Sequence, residues 1–225
     1  MIPTMLVSIL LFLLTGCAMS EEWFEQGELT LQRHTLKELR DQNVVKQEKD
    51  YSCGSAALAT LMIYYFGHNT SEQEILTLMT SSMTEEERKR KPLTGFSLLD
   101  LKRVALSMGY RASGFRLTGE QLVRLTAPVI VFIQAGGYKH FAVLRGVSWR
   151  RVYLADPARG NLRMSLERFL DEWGGIIFVL GKKGEEHIRD YPLAIRHNED
   201  YGQPELLRFN GQLDIGTYIN TLPLR

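Results

Sequence analysis

The chain predicts an α+β fold, with helices from its first half packed on a mainly antiparallel sheet from its second half. Three observations carry that expectation. Cys53 to Phe66 is apolar on nearly every side and ends at Gly67, the pattern of a central, buried helix. More helical signals follow as far as Leu125, after which the pattern changes to short apolar runs divided by turn residues. Helices first and strands afterwards segregate the two element types, which is α+β layering rather than α/β alternation.

Composition fits one such domain. The chain has 225 residues, 44% hydrophobic and 24% charged, enough for a single well-buried core. Lys and Arg (27) nearly balance Asp and Glu (26), so the net charge expected of a nucleic-acid binder is missing.

Taken in order, residues 1–16 carry no charged side chain, and Leu6 to Leu14 is almost continuously apolar. That run is too short to span a membrane and suits the core of a signal peptide. It ends in Leu14-Thr15-Gly16-Cys17, which resembles a bacterial lipobox, although no Lys or Arg precedes the apolar run. The resemblance implies cleavage before Cys17 and lipidation of its thiol, a lipid anchor to a membrane facing the periplasm. The alternative is a plain secretory signal cut after Ala18 or Ser20. Both readings predict export to the periplasm and set residues 1–17 aside from the fold. Residues 18–43 form a lead-in, with Leu29, Leu31, Leu36 and Leu39 spaced for packing onto the domain.

The domain itself is expected over residues 44–181. Thr70-Ser71-Glu72-Gln73-Glu74 opens a helix to about residue 80, and Thr84 to Arg90 reads as a charged helical turn stopped by Pro92. Ser97-Leu98-Leu99-Asp100 resembles a capping box and starts a helix to Met108, before Gly109. Thr118 to Leu125 is a short helix. Strands are expected at Val129–Ile133, Lys139–Val147, Arg150–Leu154 and Leu162–Met164; then a helix at Ser165–Trp173 and a last core strand at Ile176–Leu180. Residues 182–225, with Pro192, Pro204 and Pro223, form a C-terminal extension without an assigned role.

The chemistry gathers at four residues. Cys53 opens the buried helix, and a thiol at a helix N-terminus meets unpaired N–H groups and the positive end of the helix dipole, an arrangement that suits a nucleophilic thiolate. Cys17 and Cys53 are the two cysteines, so no disulfide framework exists, and Cys53 becomes a lone thiol in an oxidising compartment. A nucleophilic cysteine needs a base, and the base needs an orienting group. His140 follows the loop Gly136-Gly137-Tyr138 and enters an apolar strand; the next strand, after a hairpin turn near Ser148 to Arg150, delivers Asp156-Pro157 to the same neighbourhood. Gln47, six residues before Cys53, supplies an amide for an oxyanion. His34, His68, His187 and His197 show no metal-ligand spacing, and neither a metal nor a cofactor is expected.

Gln47…Cys53-Gly54, the His140-Phe141 strand and Asp156-Pro157-Ala158 together resemble the bacteriocin-processing, double-glycine cysteine peptidases (peptidase family C39), over roughly residues 44–180. The resemblance implies a papain-like fold in which Cys53 is the nucleophile, His140 the general base and acid, Asp156 its orienter and Gln47 the oxyanion donor. Exporter-fused members cut leaders after a Gly-Gly pair. This chain lacks their membrane helices and Walker A loop, which puts a leader substrate in doubt. Its layout is similar to the single-domain periplasmic peptidases of bacterial functional-amyloid (Fap-type) secretion systems, active in biofilm. That likeness implies a polypeptide substrate, an amyloid subunit or a secretion component. Two alternatives stand beside it: a papain-like cell-wall amidase, and a non-catalytic peptide-binding domain.

Overall fold

The computed structural model describes residues 35–81, 83–135, 137–182, 184 and 188–195. The expected signal segment, Cys17, the lead-in up to residue 34 and the extension from residue 196 lie outside the described residues, as do His34, His187 and His197. From Leu36 onward the elements run α1 (Leu36–Asp41), α2 (Cys53–Tyr64), α3 (Glu72–Ser81), α4 (Glu85–Thr94), α5 (Leu98–Ser107), β1 (Tyr110–Arg116), α6 (Gly119–Leu122), β2 (Val129–Ala135), β3 (Tyr138–Ser148), β4 (Arg151–Asp156), β5 (Gly160–Ser165), α7 (Leu166–Glu172) and β6 (Trp173–Lys182).

The strands form one six-stranded sheet in the order β1-β6-β2-β3-β4-β5, every pairing antiparallel. Both faces are covered. On one, α2, α3 and α5 bury Leu58, Leu61, Ile75 and Leu101 against Ile130, Phe141, Val143 and Phe178. On the other, Leu122 and Phe169, from the short helices α6 and α7, cover Val131, Leu144, Leu154 and Val179. A sheet buried on both faces has no polar side to alternate with, which is why the middle of β3 reads as an unbroken apolar run. Helix α2 is enclosed likewise: every residue from Cys53 to Met62 is buried.

The expected capping box at Ser97 forms with Asp in place of Glu. Ser97 Oγ accepts from the Asp100 N–H at 3.2 Å, and the Asp100 carboxylate accepts from the Ser97 N–H at 2.8 Å. That carboxylate also binds Lys91 Nζ at 2.7 Å, tying α4 to α5. The hairpin turn falls where expected: Ser148 pairs with Arg151, and Trp149 and Arg150 take the positive φ values of 44° and 60° that a two-residue hairpin turn requires.

Several elements differ from expectation. Helix α1 forms within the lead-in, and its Leu36 and Leu39, expected to pack onto the domain, are exposed; α6 ends at Leu122 rather than Leu125. Helix α4 runs ten residues to Thr94 rather than stopping before Pro92. A Thr84–Glu87 capping box starts it, and a proline so close to the C-terminal end forfeits a single ladder bond. Strand β1 was not foreseen; its buried–half-buried alternation is short and crosses Ser113-Gly114, so it carries little pattern of its own and forms by pairing with β6. Strand β6 begins at Trp173, three residues early. Beyond it, Ile188–Ile195 returns to the domain: Leu193 is fully buried, Tyr191 and Ile188 pack on the same core, and the Arg145 side chain donates to the carbonyls of Leu193 (2.9 Å) and Ala194 (3.0 Å). Arg145 sits where the β3–β4 register shifts by one residue.

Candidate active site

Cys53 is the first residue of α2 and is 7% exposed. Gly54 lets the helix end come close to its neighbours: a Cβ there would lie 3.0 Å from Leu101 Cδ1 and 3.3 Å from Phe141 Cδ2. The residue before the helix, Ser52, does not cap it. Its hydroxyl turns back to donate to the Lys49 carbonyl at 2.9 Å and to accept from the Lys49 N–H at 3.1 Å. The first amides of α2 are thus left without a side-chain acceptor, where an anion gains most from them.

His140 and Asp156 meet as the sequence predicts. Val143 on β3 pairs with Ala155 on β4, which sets Asp156 beside the start of β3. His140 Nε2 stands 3.0 Å from Asp156 Oδ1. The Cys53 side chain lies close enough to the same imidazole to help raise its pKa; with Nε2 committed to Asp156, Nδ1 is the nitrogen that remains for sulfur. Burial by itself lowers the His140 pKa. The hydrogen bonds and charges of Asp156 and Cys53 outweigh it and raise the group to about 9.

Asp156 is fully buried. Burial pushes its pKa upward, but the hydrogen bond and charge of His140, helped by Arg159, hold it well below the usual carboxylate range. Oδ1 also accepts from the N–H groups of Ala158 (2.8 Å) and Arg159 (2.9 Å). The residue is therefore at once a turn former and the partner of His140.

Gln47 lies on the loop before α2, and its backbone N–H donates to the Pro157 carbonyl at 3.1 Å. Lys46 Nζ reaches the Ala158 carbonyl at 2.9 Å. The loop with the candidate oxyanion donor is thereby fastened to the turn with the carboxylate. One N–H of the Gln47 amide donates to the Lys49 carbonyl at 3.0 Å, which orients the group and leaves its second N–H for another acceptor. Across the site, Tyr138 Oη, two residues before His140, donates to the Asp50 carbonyl at 3.2 Å.

Sequence reasoning missed Arg159, Ser52 and Lys46. The signal for Arg159 was present: an Asp that opens a tight turn bonds the N–H groups two and three residues on, which brings the side chain at the third back beside it. His68, expected at the surface, is half-buried and bonds the Tyr110 hydroxyl at 2.8 Å. Trp173 is core, whereas Trp149 stands exposed on the hairpin turn. Among the described residues no group of His, Cys, Asp and Glu is arranged to hold a metal ion.

Comparison with known proteins bears on the family and the fold. The family model described as "Peptidase C39 family" matches residues 41–185. A Pseudomonas aeruginosa protein named "Probable functional amyloid protease FapD" is 36% identical over 192 residues, 81% of this chain and 84% of that one. The crystal structure of the peptidase domain of Streptococcus ComA superposes with a TM-score of 0.53 at 24% identity, over 64% of this chain and 99% of that domain. A double glycine motif protease from an AMS/PCAT transporter, solved in complex with the leader peptide, superposes with a TM-score of 0.50 at 26% identity, over 63% of this chain and 94% of that one. The fold is that of the double-glycine peptidase domains, papain-like as expected.

Proposed function

Because the chain belongs to the peptidase C39 family and is a cysteine peptidase, we propose that it is an exported endopeptidase that cuts a secreted polypeptide through Cys53, His140 and Asp156. The observation that carries the residue assignment is an imidazole 3.0 Å from a fully buried carboxylate, with the thiol of a helix-terminal cysteine near enough to raise its pKa.

In this reading Cys53 sulfur attacks a peptide carbonyl and forms a C–S bond. The carbonyl electron pair moves onto oxygen, where the Gln47 amide and the Cys53 backbone N–H stabilise it. Collapse breaks the C–N bond, and the His140 imidazolium gives its proton to the leaving amine. Neutral His140 then takes a proton from water, whose oxygen attacks the thioester and releases Cys53. Asp156 keeps the imidazole oriented throughout and stays ionised. Losing one oxyanion donor costs about 10²–10³ in rate, so Gln47 matters less than Cys53.

The similarity to a Pseudomonas protein named as a probable functional amyloid protease supports a substrate among functional-amyloid components, a subunit or a part of its secretion machinery. The apolar, uncharged residues 1–16 support export, and Leu14-Thr15-Gly16-Cys17 supports a lipid anchor on the periplasmic side. The test is a comparison of exported-protein N-termini, by mass spectrometry, between a wild-type strain and one carrying Cys53→Ala in the full chain. Loss of one or a few internal N-termini from secreted proteins is expected. Identical N-terminal profiles in the two strains would overturn the proposed activity.

A further inference from the structure

The two oxygens of Asp156 are served differently. Oδ1 takes His140 Nε2 and two backbone N–H groups, whereas Oδ2 receives Arg159 Nε at 2.9 Å and Nη2 at 2.8 Å. Among the described residues, no other donor reaches Oδ2. Two cations thus divide one buried carboxylate, and the guanidinium, 47% exposed, connects it to solvent.

We propose that Arg159 is a positioning residue for the Cys53–His140 pair: by sharing the Asp156 carboxylate with His140, it sets the pH at which the imidazolium releases its proton. The physical reason lies in the reaction itself. An imidazolium must hand its proton to the leaving amine, and an undivided buried carboxylate at 3.0 Å would hold that proton more firmly. A guanidinium with two nitrogens on Oδ2 draws off part of the carboxylate charge. Lysine offers similar charge without the fork.

The other charged groups around the carboxylate are accounted for. From the segment before α2, Lys46 Nζ binds the Ala158 carbonyl and lies 3.3 Å from Asp41 Oδ1, so it has its own counter-charge. From β3, the Arg145 guanidinium binds Asn161 Oδ1 and the carbonyls of Leu193 and Ala194. From α2, Cys53 acts on the imidazole and is not among the groups that shift Asp156. Among the described residues, Arg159 is the cation bound directly to Asp156 apart from the imidazolium.

This inference rests on the catalytic reading above, and the test separates the two. The probe is iodoacetate, whose negative charge makes it react best with a thiolate beside an imidazolium. Its rate at Cys53 in the full chain is followed by mass spectrometry from mildly acidic to strongly alkaline pH. The wild type should give a bell, with a basic limb near pH 9 where His140 loses its proton. Arg159→Met should move that limb up by about one pH unit, and Arg159→Lys should leave it close to the wild-type position. Arg159→Gln, which keeps a donor without charge, should shift the limb in the same direction and serves if the Met variant does not fold. The backbone N–H bonds to Oδ1 survive every one of these substitutions. A wild-type bell whose basic limb stays put or falls in the uncharged variants would overturn the role of Arg159 alone. No bell in the wild type would remove the Cys53–His140 pairing, and this inference with it.

Discussion

At the scale of single residues the imidazole is bonded to the Asp156 carboxylate and lies near the Cys53 side chain, and each partner has a distinct consequence when changed. Cys53→Ala removes the nucleophile and His140→Ala the proton carrier, so each should abolish turnover while thermal unfolding shows a folded domain. A folded Cys53→Ala that still cleaves would end the assignment. Asp156→Asn keeps a side chain of the same shape but loses the charge, and it sets an amide NH₂ among a cluster of donors. The expected result is a fall in kcat of about 10²-fold or more, with residual activity above that of Cys53→Ala. Activity should also fall as pH rises through about 9, because His140 then loses the proton it must give the leaving amine; a kcat profile flat through that region would contradict the role. The helix-end place of Cys53 and the His140–Asp156 pair were legible in the sequence because each sits next to a recognisable local signal. Ser52 and Lys46 were not, since their work depends on which carbonyl lies opposite them, whereas Arg159 carries a local signal in the turn that Asp156 opens.

At the scale of elements, α2 determines where the sulfur stands. Its closeness to Leu101 and Phe141 depends on the missing side chain at Gly54. Gly54→Val should therefore lower stability by about 1–3 kcal/mol, read from denaturant midpoints, and should slow Cys53 alkylation by displacing the helix end. A variant as stable and as reactive as the wild type would show that the contact is slack. The central elements announced themselves: α2 by length and apolarity, β2 and β3 by continuous hydrophobic runs, α5 by its capping box. The misreadings came at the margins. Pro92 was read as a stop, but near the end of α4 it removes only one backbone bond. Strand β1 has two buried residues in its first three positions and little pattern after them, so its β conformation depends on β6 rather than on its own sequence.

At the scale of the molecule, the segment Ile188–Ile195 binds distant parts of the chain together. Leu193 fills the core, Asn43 donates to the Pro192 carbonyl at 3.1 Å, and Arg145 links this segment to Asn161, which in turn donates to the Gln42 carbonyl. Leu193→Ala should cost about 2–4 kcal/mol, a loss visible as a lower Tm, although the residue lies beyond the domain boundary expected from sequence. Stability should vary with pH in a direction set by the buried pair. The raised His140 pKa adds stability that is complete below its unfolded value of about 6.5 and is lost as pH rises through about 9. The depressed Asp156 pKa adds stability present above the ordinary carboxylate value and lost as pH falls toward the folded one. Thermal melts should therefore peak between mildly acidic and neutral pH. A maximum above pH 9 would contradict the sign of the histidine effect.

From sequence alone came the fold class and the order of the proposed site residues, because hydrophobic periodicity, helix-end chemistry and residue spacing are local properties written along the chain. Tertiary structure alone decided that Gln47 is fastened to the Pro157 turn and that the segment around Leu193 belongs to the core. Those outcomes depend on pairing between residues far apart in the chain. Sheet register and burial select such partners, and no local pattern encodes them.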